Sequence, residues 1–321
     1  MSNFISFLDT QIRSFIMYRK ASDHWNESSY ELNLIMFDRY CNRNYPTTTE
    51  LSQGIVDSWC KQHPNETNNS CRSRIYVVVS FIRYLNERGL TTVLEPNIPK
   101  KERRLYVPHA FTDTELKNFF YACDTLPDKP RTEEQLSRRI SIPVFFRLLY
   151  SSGLRTNEAR MLRVEDVNFD QGILNIRYSK GRNQHYVVLH DSMHKLLKRY
   201  DKEIAKQYNN RIYFFPARNN SFHKSGWVSK NFRILWDKYN SSYAIAYELR
   251  HHYAIYNINS WVCEGFQFNN KLLYLSKSMG HCNLESTKAY YAIVPRLAET
   301  LDKNTGYDFN KIIPEVNHEE S

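Results

Sequence analysis

Between residues 96 and 104 the chain reads Pro96-Asn97-Ile98-Pro99-Lys100-Lys101-Glu102-Arg103-Arg104. Two prolines so close together deny this stretch a helix or a central strand, because each lacks a backbone donor and restricts the residue before it. The run therefore separates two blocks, each of which must build its own core. At 321 residues the chain is long enough for both. The expected division is a helical domain over 1–95, a basic linker over 96–108 and a second domain over 109–321.

The first block carries four helical stripes. Phe4, Phe7, Leu8, Ile12, Phe15 and Ile16 recur at helical spacing. Ser28 and Glu31 have capping-box spacing ahead of Leu32, Ile35 and Met36. Thr47 and Glu50 repeat it ahead of Leu51, Ile55, Val56 and Trp59. A fourth helix, starting near Ser70, carries Ile75, Val78, Val79, Ile82 and Leu85 and stops at Gly89. This pattern predicts a small all-α domain.

The second block mixes helix and strand. Thr112 with Glu115 marks a helix start, and an apolar helix is expected from Ile142 to Tyr150, with Pro143 in its first turn and Gly153 past its end. Residues 167–172 read as a turn, and 173–178 and 185–189 as strands. The polar turn between those strands holds Lys180 near its start. The rest is mostly helical, with residues 307–321 acidic, polar and loosely held. The fold class expected is mainly α with a small β-sheet (α+β).

Charge points to a polyanionic partner: 44 Lys and Arg against 34 Asp and Glu give a formal net charge of +10. Cys41, Cys60, Cys71, Cys123, Cys263 and Cys282 are scattered without a Cys-x-x-Cys pair, so they read as reduced thiols of a cytoplasmic protein and not as a disulfide framework or zinc site. Asp9, Arg13, Arg19 and Lys20 interrupt the apolar N-terminal residues, so neither a signal peptide nor a membrane span is expected.

The chemistry-bearing residues begin with His281, which Tyr290 follows nine residues later. In an unbroken helix that spacing covers about 13.5 Å and leaves the two side chains half a revolution apart. For them to act together the chain must break between them. Asn283 offers the break, as an N-cap with Glu285 in the next first turn. Three segments lie upstream: Gly153-Leu154-Arg155-Thr156-Asn157-Glu158-Ala159-Arg160, Ser179-Lys180-Gly181 and Tyr247-Glu248-Leu249-Arg250-His251-His252.

Arginine, lysine, arginine, histidine and tyrosine, in that order, resemble the catalytic set of the tyrosine recombinase (phage integrase) family. The resemblance covers nearly the whole chain and implies an all-α core-binding domain followed by a tyrosine recombinase-like catalytic domain. Gly153-Leu154-Arg155 with Glu158 is similar to the first-arginine motif, Leu249-Arg250-His251 to the second, and Met279-Gly280-His281 to the downstream histidine motif. Lys180 falls where the hairpin lysine falls, and Tyr290 where the nucleophile falls. Tyr291 is the rival, but helical geometry lets only one of the two face a site.

Elementary chemistry accounts for these residue types. A phosphodiester attacked by tyrosine gathers charge on its non-bridging oxygens, which two arginine forks can hold bidentately and lysine cannot. Arg155, Arg250 and His281 would supply positive field and hydrogen bonds, and Lys180 could protonate the departing 5′-oxygen. The resemblance implies a covalent 3′-phosphotyrosine link, which conserves bond energy, so no cofactor and no metal is expected. It implies a site-specific recombinase, the integrase or transposase of a mobile element, acting on double-stranded DNA with a specific recombination site. Self-association into a synaptic tetramer is expected, and Lys100, Lys101, Arg103 and Arg104 would neutralise phosphates if the two domains clamp DNA.

Two departures stand out. Tyr247 occupies the position, three residues before the second arginine, where the family usually has histidine, and a phenol shuttles protons poorly near neutrality. The sequence Tyr290-Tyr291-Ala292 also lacks the histidine often found two residues past the nucleophile. Two alternatives stay open: a type IB topoisomerase-like relaxing enzyme, which shares the phosphotyrosine chemistry, and a catalytically impaired DNA-binding relative, which Tyr247 motivates. His251 and His252 point about 100° apart on a helix, which suits packing roles better than a shared metal.

Overall fold

The computed structural model describes residues 3–22, 30–102, 108–126, 132–177, 184–261, 267–288 and 290. Lys180, Arg103, Arg104 and Tyr291 lie outside the described residues. The chain divides into two compact units, Met1–Leu105 and Tyr106–Ser321.

In the first unit α1 (Asp9–Ala21), α2 (Leu32–Asn44), α3 (Gln53–Cys60) and α4 (Asn68–Asn86) enclose a core that includes Phe15, Phe37, Val56, Phe81 and Ile82. Asp38 is buried and accepts the N–H groups of Ile5 (2.8 Å) and Ser6 (3.0 Å), which ties the approach to α1 onto α2. The spacing of Thr47 and Glu50 does not start a helix. Thr48 N–H bonds back to Tyr45 O at 3.3 Å in a turn, and α3 begins only at Gln53. Thr67, not Ser70, caps α4 by accepting the Ser70 N–H at 3.3 Å. Gly89 ends the segment at φ 66°.

Helix α4 also holds its neighbouring chain in place. Arg74 sends Nε and Nη2 to the Glu66 carboxylate at 2.8 and 2.7 Å, Nη2 to Lys61 O at 3.1 Å and Nη1 to Trp59 O, fastening the loop after α3. At the other side Arg72 Nη1 donates to Pro99 O (2.6 Å), Asn68 Nδ2 to Lys100 O (2.7 Å) and Asn69 Nδ2 to Glu102 O (2.9 Å). Thus residues 99–102, read from sequence as linker, run along the start of α4, with the Lys100 and Lys101 side chains exposed.

The second unit comprises α5 (Asp113–Asp124), α6 (Glu133–Ser152), α7 (Thr156–Arg160), β1 (Val167–Asn168), β2 (Ile173–Ile176), β3 (His185–Val188), α8 (Asp191–Ala205), α9 (Ser225–Trp236), α10 (Glu248–Ser260), α11 (Gln267–Ser278) and α12 (Glu285–Lys288). Thr112 and Glu115 form the expected capping box, with Glu115 N–H to Thr112 Oγ1 at 3.2 Å and Thr112 N–H to Glu115 Oε2 at 2.9 Å. The strands form one antiparallel sheet in the order β1-β2-β3, with Ile176 opposite His185. Residues 167–168, expected as part of a turn, pair as β1. The fold class is mainly helical with a small three-stranded antiparallel sheet, as the sequence predicts. No helix among the described residues is long and apolar enough to cross a membrane.

Helix α6 is the main scaffold, packed against α8 and α10. It starts about two and a half turns earlier than expected, at a Thr132 cap, and Pro143 lies inside it. Proline there leaves the Arg139 carbonyl without its usual helical donor. Burial of Ile142, Phe145, Phe146, Leu148 and Leu149 on its core side holds the helix together across that gap.

Candidate active site

The site is built around two left-handed glycines. Gly153 ends α6 at φ 63°, and a Cβ there would lie 2.3 Å from Tyr253 Cδ1 on α10. Gly280 ends α11 at φ 63°, and a Cβ there would lie 2.6 Å from His185 Cε1 on β3. At the second turn Gly280 N–H bonds to Lys277 O (2.9 Å) and His281 N–H to Ser276 O (3.0 Å), the paired bonds of a Schellman ending. The turn delivers His281 at a fixed angle just past the helix.

Arg155 sits at the entry to α7. Glu158, itself buried, accepts the Arg155 N–H at 2.8 Å on one carboxylate oxygen and Arg155 Nη1 at 2.5 Å on the other. Arginine has no acceptor, so the carboxylate alone organises this helix start. The remaining amino group, Nη2, donates to Gly280 O at 3.1 Å.

Arg250 projects from the first turn of α10 and is 1% exposed. Its Nη1 donates to Gly153 O at 2.6 Å, and its Nη2 to Met279 O at 2.7 Å and His281 Nε2 at 3.0 Å. Nε is sealed from solvent and makes no hydrogen bond among the described residues. Burial, and then the charge of Arg155, push the Arg250 pKa down. Both arginines therefore grip the 279–281 turn from two different helices. Glu248 fixes the start of α10 by accepting the N–H groups of Ile245 (2.8 Å) and His109 (3.0 Å).

His281 lies between Arg250 and Thr287, with Nδ1 2.6 Å from the Thr287 hydroxyl oxygen. Burial, followed by Arg250 and Arg155, lowers its pKa to about 4, so the ring is neutral near pH 7. Asn283 breaks the chain as the sequence predicts, since its Oδ1 accepts the Ser286 N–H at 3.1 Å ahead of α12. That break brings Tyr290 back over His281, the rings 6.0 Å apart and 18° from parallel. Tyr290 is 6% exposed and packs with Ala254, Leu272, Leu275 and Met279. Burial raises its pKa, against the opposing pull of Arg250.

Tyr247, at the N-cap of α10, is 37% exposed, and its ring meets His251 edge-on at 5.1 Å. His251 in turn lies 5.3 Å from the Tyr290 ring, while His252 stacks on Tyr150 at 5.4 Å. Arg155, Tyr247, Arg250, His281 and Tyr290 are thus brought around one turn. Lys100 and Lys101 belong to the first unit, and Lys180 lies outside the described residues. Cys282, next to His281, is exposed. Sequence reasoning missed His185 and Thr287; the only signal for His185 was its place on an inward-facing strand position. Among the described residues no group of His, Cys, Asp and Glu is disposed to hold a metal ion.

A buried and a half-buried cation, a neutral imidazole and a phenol around a single turn suit one kind of work, the displacement of an alcohol from a phosphodiester. Comparison with known proteins agrees. Residues 110–295 match the model of the phage integrase family. The tyrosine recombinase XerA of Pyrococcus horikoshii is 26% identical over 242 residues, covering 73% of this chain and 74% of that protein. The tyrosine recombinase XerD of Rickettsia prowazekii is 24% identical over 303 residues, covering 87% and 90%. Among solved structures, a lambda integrase dimer bound to a COC′ core site superposes with a TM-score of 0.59 at 15% identity, covering 90% of this chain and 96% of that one. The chain belongs to the phage integrase family. It is a tyrosine-type site-specific recombinase that cuts and rejoins DNA.

Proposed function

We propose that Tyr290 is the nucleophile and that cleavage leaves the chain joined to DNA through a 3′-phosphotyrosine bond. Arg155 and Arg250 hold the non-bridging oxygens, exchanging their present carbonyl partners for phosphate. The Tyr290 oxygen bonds to phosphorus, the bond to the 5′-oxygen breaks, and Lys180 gives that oxygen its proton. Rejoining reverses these steps. The observation that carries the reading is the convergence of Arg155 and Arg250, from α7 and α10, on the turn that also bears His281, with Tyr290 over it.

The first unit, with Lys100, Lys101, Arg103 and Arg104, serves as a DNA-binding domain that helps clamp a specific site. A lambda integrase tetramer solved on a Holliday junction has a TM-score of 0.57 to this chain, and this likeness supports assembly as a synaptic tetramer. The likeness to a transposon integrase solved with transposon right-end DNA, TM-score 0.56, supports a mobile element as the source.

Covalent trapping tests the reading. On a nicked suicide substrate carrying the cognate site, the wild-type chain should form a protein–DNA adduct, and Tyr290→Phe should form none while still binding DNA. An adduct that survives in Tyr290→Phe and disappears in Tyr291→Phe would transfer the role to Tyr291.

A further inference from the structure

Thr287 is buried on the short helix α12, and its hydroxyl meets the one ring nitrogen of His281 that Arg250 does not. A guanidinium can only donate hydrogen bonds, so the contact between Arg250 Nη2 and His281 Nε2 requires a lone pair on Nε2. In a neutral ring the proton then sits on Nδ1, and Nδ1–H donates to Thr287 Oγ1 at 2.6 Å. The hydrogen bonds run in one direction, from Arg250 through His281 to Thr287.

We propose that Thr287 is a positioning residue that locks His281 in the tautomer carrying its proton on Nδ1, so that Nε2 faces the reaction as a proton acceptor. The proposal rests on Tyr290 being the nucleophile. When a phosphodiester enters and Arg250 turns its amino groups to the phosphate oxygens, the Nε2 lone pair is released. The Tyr290 hydroxyl proton passes to Nε2, the phenolic oxygen bonds to phosphorus, and the bond to the 5′-oxygen breaks as that oxygen takes a proton from Lys180. Thr287 accepts from Nδ1–H throughout and stabilises the imidazolium that forms. A histidine free to carry its proton on Nε2 would be a donor, unable to take the phenol proton.

The groups around the ring agree with this assignment. Arg250 from α10, Arg155 and Glu158 from α7 and His185 from β3 face it, along with Thr287 and Tyr290. The two arginines disfavour a proton on the imidazole in the unbound chain. The negative phosphodiester offsets those same arginines, so His281 becomes a competent base only with DNA in place. Tyr247, a phenol three residues before Arg250, leaves this task to His281.

The test combines nitrogen-15 NMR of histidine-labelled protein with single-turnover cleavage. The His281 signal, identified by its loss in His281→Ala, should show a protonated Nδ1 and a bare Nε2 near pH 7; a protonated Nε2 would overturn the proposal. Thr287→Val should slow cleavage about tenfold or more, roughly the value of one well-placed hydrogen bond. Thr287→Ser should recover most of the rate. In a His281→Ala background, Thr287→Val should add nothing, because the two changes act on one unit. An equal slowing in that background, or a serine variant as slow as valine, would reduce Thr287 to a packing residue. Adduct formation on Tyr290 is scored in the same assays; if wild type forms its adduct elsewhere, the nucleophile reading fails and the tautomer measurement still stands.

Discussion

The ring of His185 lies directly over Gly280, so close that a methyl group on Gly280 would fall 2.6 Å from His185 Cε1. A strand and a helix ending are locked together by the absence of a side chain. Gly280→Ala meets two penalties, the clash and a φ of 63°, which alone costs an L-residue about 1–2 kcal/mol. We expect Gly280→Ala to lower the urea midpoint and to abolish most cleavage. His185→Ala should relieve the clash but not the backbone strain. The double variant should therefore be more stable than the two single losses added together. Strict additivity in urea titrations would show that the ring can move aside freely.

Replacing either arginine by lysine should keep DNA binding and lose most of the cleavage. Arg250 makes three contacts in a fixed fork, to Gly153 O, Met279 O and His281 Nε2, and a single ammonium cannot reproduce them. Single-turnover cleavage should fall by about 10²–10³ for each variant, the typical loss for one donor to a transition-state oxyanion. Gel-shift affinity measured alongside separates loss of chemistry from loss of binding. Near-wild-type rates in both lysine variants would remove these arginines from the reaction.

Tyr247 is half-exposed, and its ring leans on His251. Such a residue packs and can add a hydrogen bond, so Tyr247→Phe should cost about 0.5–1.5 kcal/mol of activation, the value of a net hydrogen bond. Tyr247→His should be tolerated and should bring a pH dependence near neutrality. Cleavage and ligation by both variants, followed from about pH 6 to about pH 9, bracket the histidine pKa. A severe loss in Tyr247→Phe with unchanged binding would make the phenol itself part of the chemistry.

In the first unit, the hydrogen bond from Arg74 holds the Glu66 carboxyl down to about pKa 2. Because the folded value is depressed, the stability it contributes is fully present above the unfolded value of about 4.3 and fades as pH falls toward 2. Glu66→Gln should therefore be less stable than wild type near pH 7, with the gap in urea midpoint narrowing below about pH 4.5. A gap independent of pH from 7 to 3 would mean that shape, not charge, is what Arg74 recognises.

Much of this architecture was legible in local patterns. The Thr112–Glu115 capping box, the stop at Gly89, the strands at 173–176 and 185–188 and the break at Asn283 all depend on neighbours within a few residues. Thr47 and Glu50 show the limit of such signals: the spacing was right, but the chain turns there because its apolar residues, Ile55, Val56 and Trp59, are served by a helix starting at Gln53. Pro143 misled in the other direction, because burial on the core side of α6 outweighs one lost hydrogen bond. The polar contacts of the site were the least legible. His185 and Thr287 acquire their meaning only when β3 and α12 fold against the turn at Gly280, and no local spacing records that meeting.

One buried atom has a consequence beyond chemistry. Arg250 Nε is shut away from solvent and has no hydrogen-bond partner among the described residues. Leaving a buried donor unmatched costs about 1–3 kcal/mol. An acceptor brought to that donor adds stability, so any tetrahedral oxyanion that reaches the site should raise the protein's resistance to heat. Vanadate at millimolar concentration, too dilute for a general salt effect, should lift the melting temperature by about 2–4 °C for each kcal/mol gained. Arg250→Lys should show no such rise, and an equal rise in that variant would place the anion elsewhere. Heat resistance then becomes a measure of site occupancy that needs neither a cognate DNA sequence nor a completed reaction.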